Sequence, residues 1–258
     1  MAYFRIEYFS EALQRDTAFE LLLPNDPHWG MPLNERTELA LFLLHGYKGK
    51  ASNWAPEELA YRYNFAIVMP SAENSFYLNG LSTGHAYQTM LGEELVDYVR
   101  RTFGLALRRE DTAIAGLSMG GYGALHTGLA YPETFGKIAA LSSALIVHGI
   151  AHMKPGEGNS VANYAYYHEC FGDLETVEER DTNPEVLALK LKKTKKKMPE
   201  LYLACGTEDF LIEPNRELHK FLEENKIKHE YHESKGIHDM VFWSEYIVKA
   251  VDWMFADK

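Results

Sequence analysis

Short apolar runs of strand length alternate with stretches of helical period along most of this chain. Leu39–Leu44 and Asn64–Met69, the latter closed by Pro70, have the character of central strands covered on both faces. Ahead of them, Tyr3–Ser10 and Ala18–Leu23 read as strands separated by a polar link, Glu11–Thr17, and Pro24–Pro32 reads as a loop. A short helix is expected from Pro56, a polar and aromatic loop over Ser71–His85, and a helix from about Tyr87 to Phe103. The last carries Met90, Leu91, Leu95, Tyr98 and Val99 on one side. Strands Asp111–Ala115, Ile138–Leu141, Leu201–Cys205 and His229–Glu233 then interleave with helices Ser118–Tyr131, Asn183–Leu191, Pro214–Asn225 and Asp239–Phe255. Such alternation means an α/β fold with a mainly parallel sheet and helices on both faces. Ala144–Asp181 breaks the rhythm with aromatic and polar residues and reads as a cap-like insertion. With no linker and no internal repeat, residues 1–258 read as a single domain.

Charge and cysteine content narrow the partners. A formal net charge of −11 argues against nucleic acid or an anionic membrane. The run KKTKKK, Lys192–Lys197, reads as a solvated helix end, where cations suit the macrodipole. Two cysteines, Cys170 and Cys205, are too few for a disulfide framework and suit reduced structural thiols. The opening MAYFRIEYFSEALQRDTAFE carries Glu7 and Glu11 without an apolar core, so a secretory leader is not expected. No apolar run reaches membrane-spanning length, and a cytoplasmic location is the expectation.

The chemistry concentrates in AGLSMGGYGALH, Ala115–His126. It places Ser118 in a G-x-S-x-G pattern between an apparent strand, DTAIA, and an apparent helix. A serine on a tight strand-to-helix turn is a nucleophile elbow: small neighbours let the chain approach itself, the hydroxyl is exposed, and the helix N-terminus favours nearby negative charge. A serine needs a base. Among 11 histidines, His238 stands apart because KGIHDM is a polar loop between the last strand and the last helix. His45 and His126 suit structural roles, and His219, His229 and His232 lie in or beside regular elements. The base needs an acid to hold its tautomer. GTEDF follows a strand directly, offering Asp209, with Glu208 as the competitor. The order Ser118, Asp209, His238 is nucleophile, acid, base. Oxyanion donors are expected from the backbone N–H of Met119 and, in the HGYKG loop, of Tyr47. Trp54, Tyr77 and Phe210, each on a loop near a carboxyl strand end, are candidate pocket walls, with core packing as the competing role.

Taken in order, LFLLHGYKGKASNW, MPSAENSFYLN, AGLSMGGYGAL, CGTEDFL and GIHD resemble the esterase D-like α/β-hydrolases, most of all the tributyrin-esterase and acetyl/feruloyl-esterase branch. The resemblance spans roughly residues 1 to 255. It implies an α/β-hydrolase fold and a cofactor-free, metal-free serine carboxylesterase. It implies small-molecule substrates, acetyl to butyryl esters of aryl or sugar alcohols, and a homo-oligomer. By position, Ser118 would be the nucleophile, Asp209 the acid and His238 the base. Many relatives carry an aromatic two residues after the histidine, where this chain has Met240. A thioesterase of the S-formylglutathione hydrolase type would use the same three residues, and a non-catalytic binding protein of this fold would usually lack one of them.

Overall fold

The apolar runs line up at the centre of one eight-stranded sheet. The structure, a computed structural model, describes residues 1–26 and 33–256, so most of the loop read at Pro24–Pro32 lies outside the described residues. The strands are β1 (Ala2–Ser10), β2 (Arg15–Leu23), β3 (Ala40–Leu44), β4 (Ala66–Pro70), β5 (Thr112–Leu117), β6 (Lys137–Leu141), β7 (Glu200–Gly206) and β8 (Glu230–Ser234). Their order is β1-β2-β4-β3-β5-β6-β7-β8. β2 is antiparallel to both neighbours, and every pairing from β4 to β8 is parallel. This is the α/β-hydrolase fold. The polar link between the first two strands is shorter than its composition suggests. Pairing of Ser10 with Arg15 extends the ladder through Asp16 and Thr17 and leaves only residues 11–14 in the turn.

Every residue of β3, β4 and β5 is buried, and the two faces sort by period two. Ala40, Phe42 and Leu44 join one core, whereas Leu41 and Leu43 join the other. The first core lies under α2 (Tyr87–Thr89), α3 (Leu95–Phe103), α4 (Met119–Ala130), α5 (Val147–Ile150), α6 (Tyr164–Phe171), α7 (Pro184–Lys192) and α8 (Ile212–Glu224). The second lies under α1 (Glu57–Arg62) and α9 (Met240–Phe255). No helix among the described residues is long and apolar enough to cross a membrane.

Two details depart from the sequence pattern. The helix expected over Tyr87–Phe103 keeps its path, but Met90–Glu94 is a π turn between α2 and α3. The wide turn aims adjacent carboxylates at different partners: Glu93 accepts from the Tyr131 hydroxyl, and Glu94 from the Ser10 hydroxyl and the Glu11 N–H. The 144–181 segment is also more than surface cover. Its Tyr167, Phe171, Leu174 and Val177 belong to the same core as α4, and Tyr122 and His126 of α4 bond the carbonyls of Thr182 and Asp181 at its end.

The strand order reverses at β3. The chain passes from β3 to β4 on one side, then crosses to β5 on the other. Ligands of open α/β sheets bind outside the carboxyl ends of strands at such a reversal, and α4 must start close to β3 to build that crevice. A Cβ on Gly120 would lie 2.4 Å from the Leu44 carbonyl oxygen and 2.6 Å from that of His45. Both are backbone atoms held at the end of a central strand. Gly120→Ala is therefore expected to cost about 2 kcal/mol or more. In a chain of this size that lowers the thermal midpoint by roughly 4–8 °C; a wild-type midpoint in a melting experiment would contradict the packing.

Candidate active site

Ser118 stands between β5 and α4 with φ 55° and ψ −119°, a conformation that non-glycine residues adopt only when their surroundings impose it. The imposing contacts are specific. The Ser118 N–H donates to the Leu141 carbonyl at 2.9 Å, and its own carbonyl accepts from the Tyr122 and Ala144 N–H groups, each at 3.0 Å. A Cβ on Gly116 would lie 2.0 Å from the Gly120 oxygen, so the turn closes only over glycines. The serine is partly exposed beyond an otherwise buried strand.

His238 and Asp209 arrive from the carboxyl ends of two further strands. The His238 Nε2 is 3.0 Å from the Ser118 Oγ. Its Nδ1 lies 2.8 and 3.0 Å from the two carboxylate oxygens of Asp209. The acid is 2% exposed, whereas Glu208 beside it faces solvent. Burial pushes the Asp209 carboxyl up, but donors outweigh it and hold the group below its usual range: His238, the Leu211 N–H and the Ser142 hydroxyl. The His238 ring packs between Phe210, at 4.6 Å, and Trp243, at 4.8 Å and nearly perpendicular. Asp239, the next residue, caps α9 by accepting from the Val241 and Phe242 N–H groups. The arrangement can draw a proton from the serine to Nε2 while a carboxylate fixes the proton on Nδ1.

The HGYKG loop passes directly over the serine. A Cβ on Gly46 would lie 3.5 Å from that of Ser118. His45, buried, sets the loop: its Nε2 accepts from the Ala72 N–H at 3.0 Å, so Nδ1 carries the proton and donates to the Gly46 carbonyl at 2.8 Å. Burial lowers its pKa, against the Gly46 bond, and favours this neutral form. The Tyr77 hydroxyl donates to the His45 carbonyl at 3.0 Å, and the Gly49 N–H to that of Gly46. Both carbonyls are thereby turned into the protein. The N–H groups of Tyr47 and Met119 have no hydrogen-bond partner among the described residues.

Of the three candidate walls, Phe210 alone reaches the surface, at 72% exposure. Tyr77 is fully buried behind the loop, and Trp54 lies in the core beneath α1 and α9. Tyr77 occupies a turn, whereas Trp54 ends a short 3-10 helix, Ala51–Trp54, where the sequence reads as loop; both segments turn the aromatic residue inward. His126 is buried and bonded to the Asp181 carbonyl, and His219 meets His229 away from the serine. Cys170 and Cys205 are free and buried. Among the described residues no cluster of His, Cys, Asp or Glu is arranged to hold a metal ion. The sequence reading missed Asn215. Its side chain accepts from the Ser143 N–H, and donates to the carbonyls of Ser143 and Leu211. It thereby ties the turn bearing Asp209 to the segment bearing Ser142. The signal was a polar residue within the buried stripe Ile212, Asn215, Leu218, Leu222 of α8.

Known proteins show the same architecture. The model of the Esterase family, described as "Putative esterase", matches residues 10–254. An acetyl esterase of Caldicellulosiruptor saccharolyticus is 40% identical over 261 residues, covering 98% of both chains. The substrate-bound structure of FphF, a fluorophosphonate-binding serine hydrolase of Staphylococcus aureus, superposes with a TM-score of 0.84 at 27% identity over 98% of each chain. S-formylglutathione hydrolase FrmB of the same organism gives 0.82 at 27% identity and the same coverage.

The depressed Asp209 carboxyl makes a prediction about stability. A carboxyl held below its unfolded pKa contributes stability that is complete above the unfolded value and is lost as the pH falls through the folded one. Below about pH 4, wild type should therefore lose thermal stability more steeply than Asp209→Asn. Parallel melting curves across a pH series would contradict the assignment of the shift.

Proposed function

The chain belongs to the Esterase family and is a carboxylic ester hydrolase; from that premise we propose a serine esterase for short acyl groups, acetyl to butyryl, on aryl or sugar alcohols. The observation that carries the mechanism is the line Ser118 Oγ to His238 Nε2, at 3.0 Å, continued from Nδ1 to Asp209 at 2.8 Å. Ser118 attacks the ester carbonyl as His238 takes its proton. Asp209 holds the imidazole in the required tautomer and stabilises the cation that forms. The Tyr47 and Met119 N–H groups receive the oxyanion, each contributing about 3 kcal/mol to the transition state. His238 then protonates the leaving alcohol, and water repeats the sequence on the acyl-enzyme.

The 144–181 segment acts as a cap over one side of this site. In support, Tyr166 of α6 lies edge-on to Tyr47, with ring centroids 6.0 Å apart. Phe210 flanks the opposite side, against His238. An aromatic rim of this kind suits an aryl alcohol. The similarity to S-formylglutathione hydrolase FrmB favours a second reading, hydrolysis of a thioester by the same three residues. Kinetics with paired oxygen esters and thioesters separate the two.

Ser118→Ala is expected to abolish hydrolysis of p-nitrophenyl acetate, a loss of about 10⁴-fold or more, while its circular dichroism stays that of wild type. Retained activity would sink the mechanism. Across p-nitrophenyl esters from acetyl to octanoyl, kcat/KM should peak at or below butyryl. A maximum at octanoyl would overturn the acyl preference.

A further inference from the structure

Ser142 and Trp243 play no part in the mechanism above, yet they converge on its acid and its base. Ser142 follows β6, is fully buried, and has φ 43°. That is strained for a residue with a Cβ, and it persists only where surrounding contacts fix it. One such contact is the Ser142 N–H donating to the Ala204 carbonyl at 2.7 Å. Trp243 lies in the first turn of α9, and its Nε1–H donates to the Ser142 Oγ at 3.1 Å. An indole N–H can only donate. The serine oxygen is therefore the acceptor in this bond, and its own proton must be directed elsewhere. The Asp209 carboxylate is the strong acceptor on that side. The other neighbour of the hydroxyl is the Cys205 sulfur, a weak acceptor.

The same indole touches the base. Its ring meets that of His238 at 4.8 Å and 88°. One side chain thus contacts His238 through its ring and Asp209 through Ser142. We infer that Ser142 and Trp243 form one positioning unit for the acid–base pair: the indole N–H orients the Ser142 hydroxyl toward Asp209, and the indole ring sets the plane of His238. This inference rests on the proposed roles of Ser118, Asp209 and His238. The remaining titratable groups nearby are already committed. The Cys205 thiol is pushed up to about 12 by burial, Asp239 is engaged as the α9 cap, and Glu208 faces solvent.

Losing the Ser142 donor removes one of the bonds that hold the Asp209 carboxylate and leaves more of its charge directed at the Nδ1–H of His238. The acid limb of serine reactivity then moves to higher pH. The test is the rate at which a fluorophosphonate probe labels Ser118, measured against pH for wild type, Ser142→Ala, Trp243→Phe and the double variant. This readout needs an activated serine but no knowledge of the natural ester. Ser142→Ala should raise the acid limb by about half a pH unit and slow labelling at the plateau roughly 2- to 10-fold. Trp243→Phe keeps a ring and loses the N–H. It should move the limb in the same direction, and it reports independently should Ser142→Ala fail to fold. The double variant should be no slower than the slower single variant, since both substitutions remove parts of one device. An unmoved acid limb in Trp243→Phe, or a double variant whose loss is the product of the two single losses, overturns the inference. A wild type that the probe does not label at Ser118 removes the proposed mechanism as well, whereas a labelled wild type with unmoved limbs in its variants removes this inference alone.

Discussion

Everything at this site depends on a backbone conformation that the chain would not adopt alone. Ser118 turns from β5 into α4 at a positive φ, and no side-chain contact could hold it there by itself. The hold is a backbone one. The Ser118 N–H is tied to Leu141, the end of β6, and its carbonyl to Ala144, three residues further on. The neighbouring strand and its exit loop thus clamp the turn from one side, while the Gly120 contact with Leu44 and His45 closes it from the other. The strain is stabilised by the same central strands that bury the two cores.

From that fixed point the remaining groups come to the serine on separate loops. His45-Gly46 follows β3, Asp209 follows β7 and His238 follows β8. Parallel strands deliver every loop to one edge of the sheet, which is why residues far apart in sequence meet there. Loops of this length would wander without ties. Asn215 ties the loop of Asp209 to the segment that follows β6 through three hydrogen bonds, and His45 and Tyr77 pin the loop after β3. These ties use buried polar groups, where a hydrogen bond lost leaves a desolvated partner behind. The geometry is correspondingly stiff.

Much of this was legible in the residues. Unbroken apolar runs announced β3 and β4, and a serine among glycines between a strand and a helix announced the turn. His238 could be chosen over rival histidines because it lies in the polar loop between the last strand and the last helix, and Asp209 over Glu208 from its place deeper in the turn and from the family resemblance. What escaped has a common cause. For Tyr77 and Trp54, pocket wall and core packing stood as competing roles, and the composition of a polar stretch does not say that it turns its aromatic residue inward. The π turn leaves no mark on a 3.6-residue period, since Leu91 and Leu95 remain on the buried side. Ser142 looks like an ordinary polar residue until the partners brought by tertiary packing are in view, and Asn215 shows only as a polar break in the apolar stripe of α8.

The neutral state of His45 has a consequence for how the molecule meets acid. Its proton sits on Nδ1 and its Nε2 is filled by the Ala72 N–H, and burial keeps it from gaining charge where an ordinary histidine would. The loop above the serine therefore keeps its ties only while this ring stays neutral. In the unfolded chain the same imidazole is free to take a proton, so its lowered pKa works against the fold as the pH drops below the usual histidine range. The rigidity that holds this loop at neutral pH is thus drawn down by acid before the ring itself is charged.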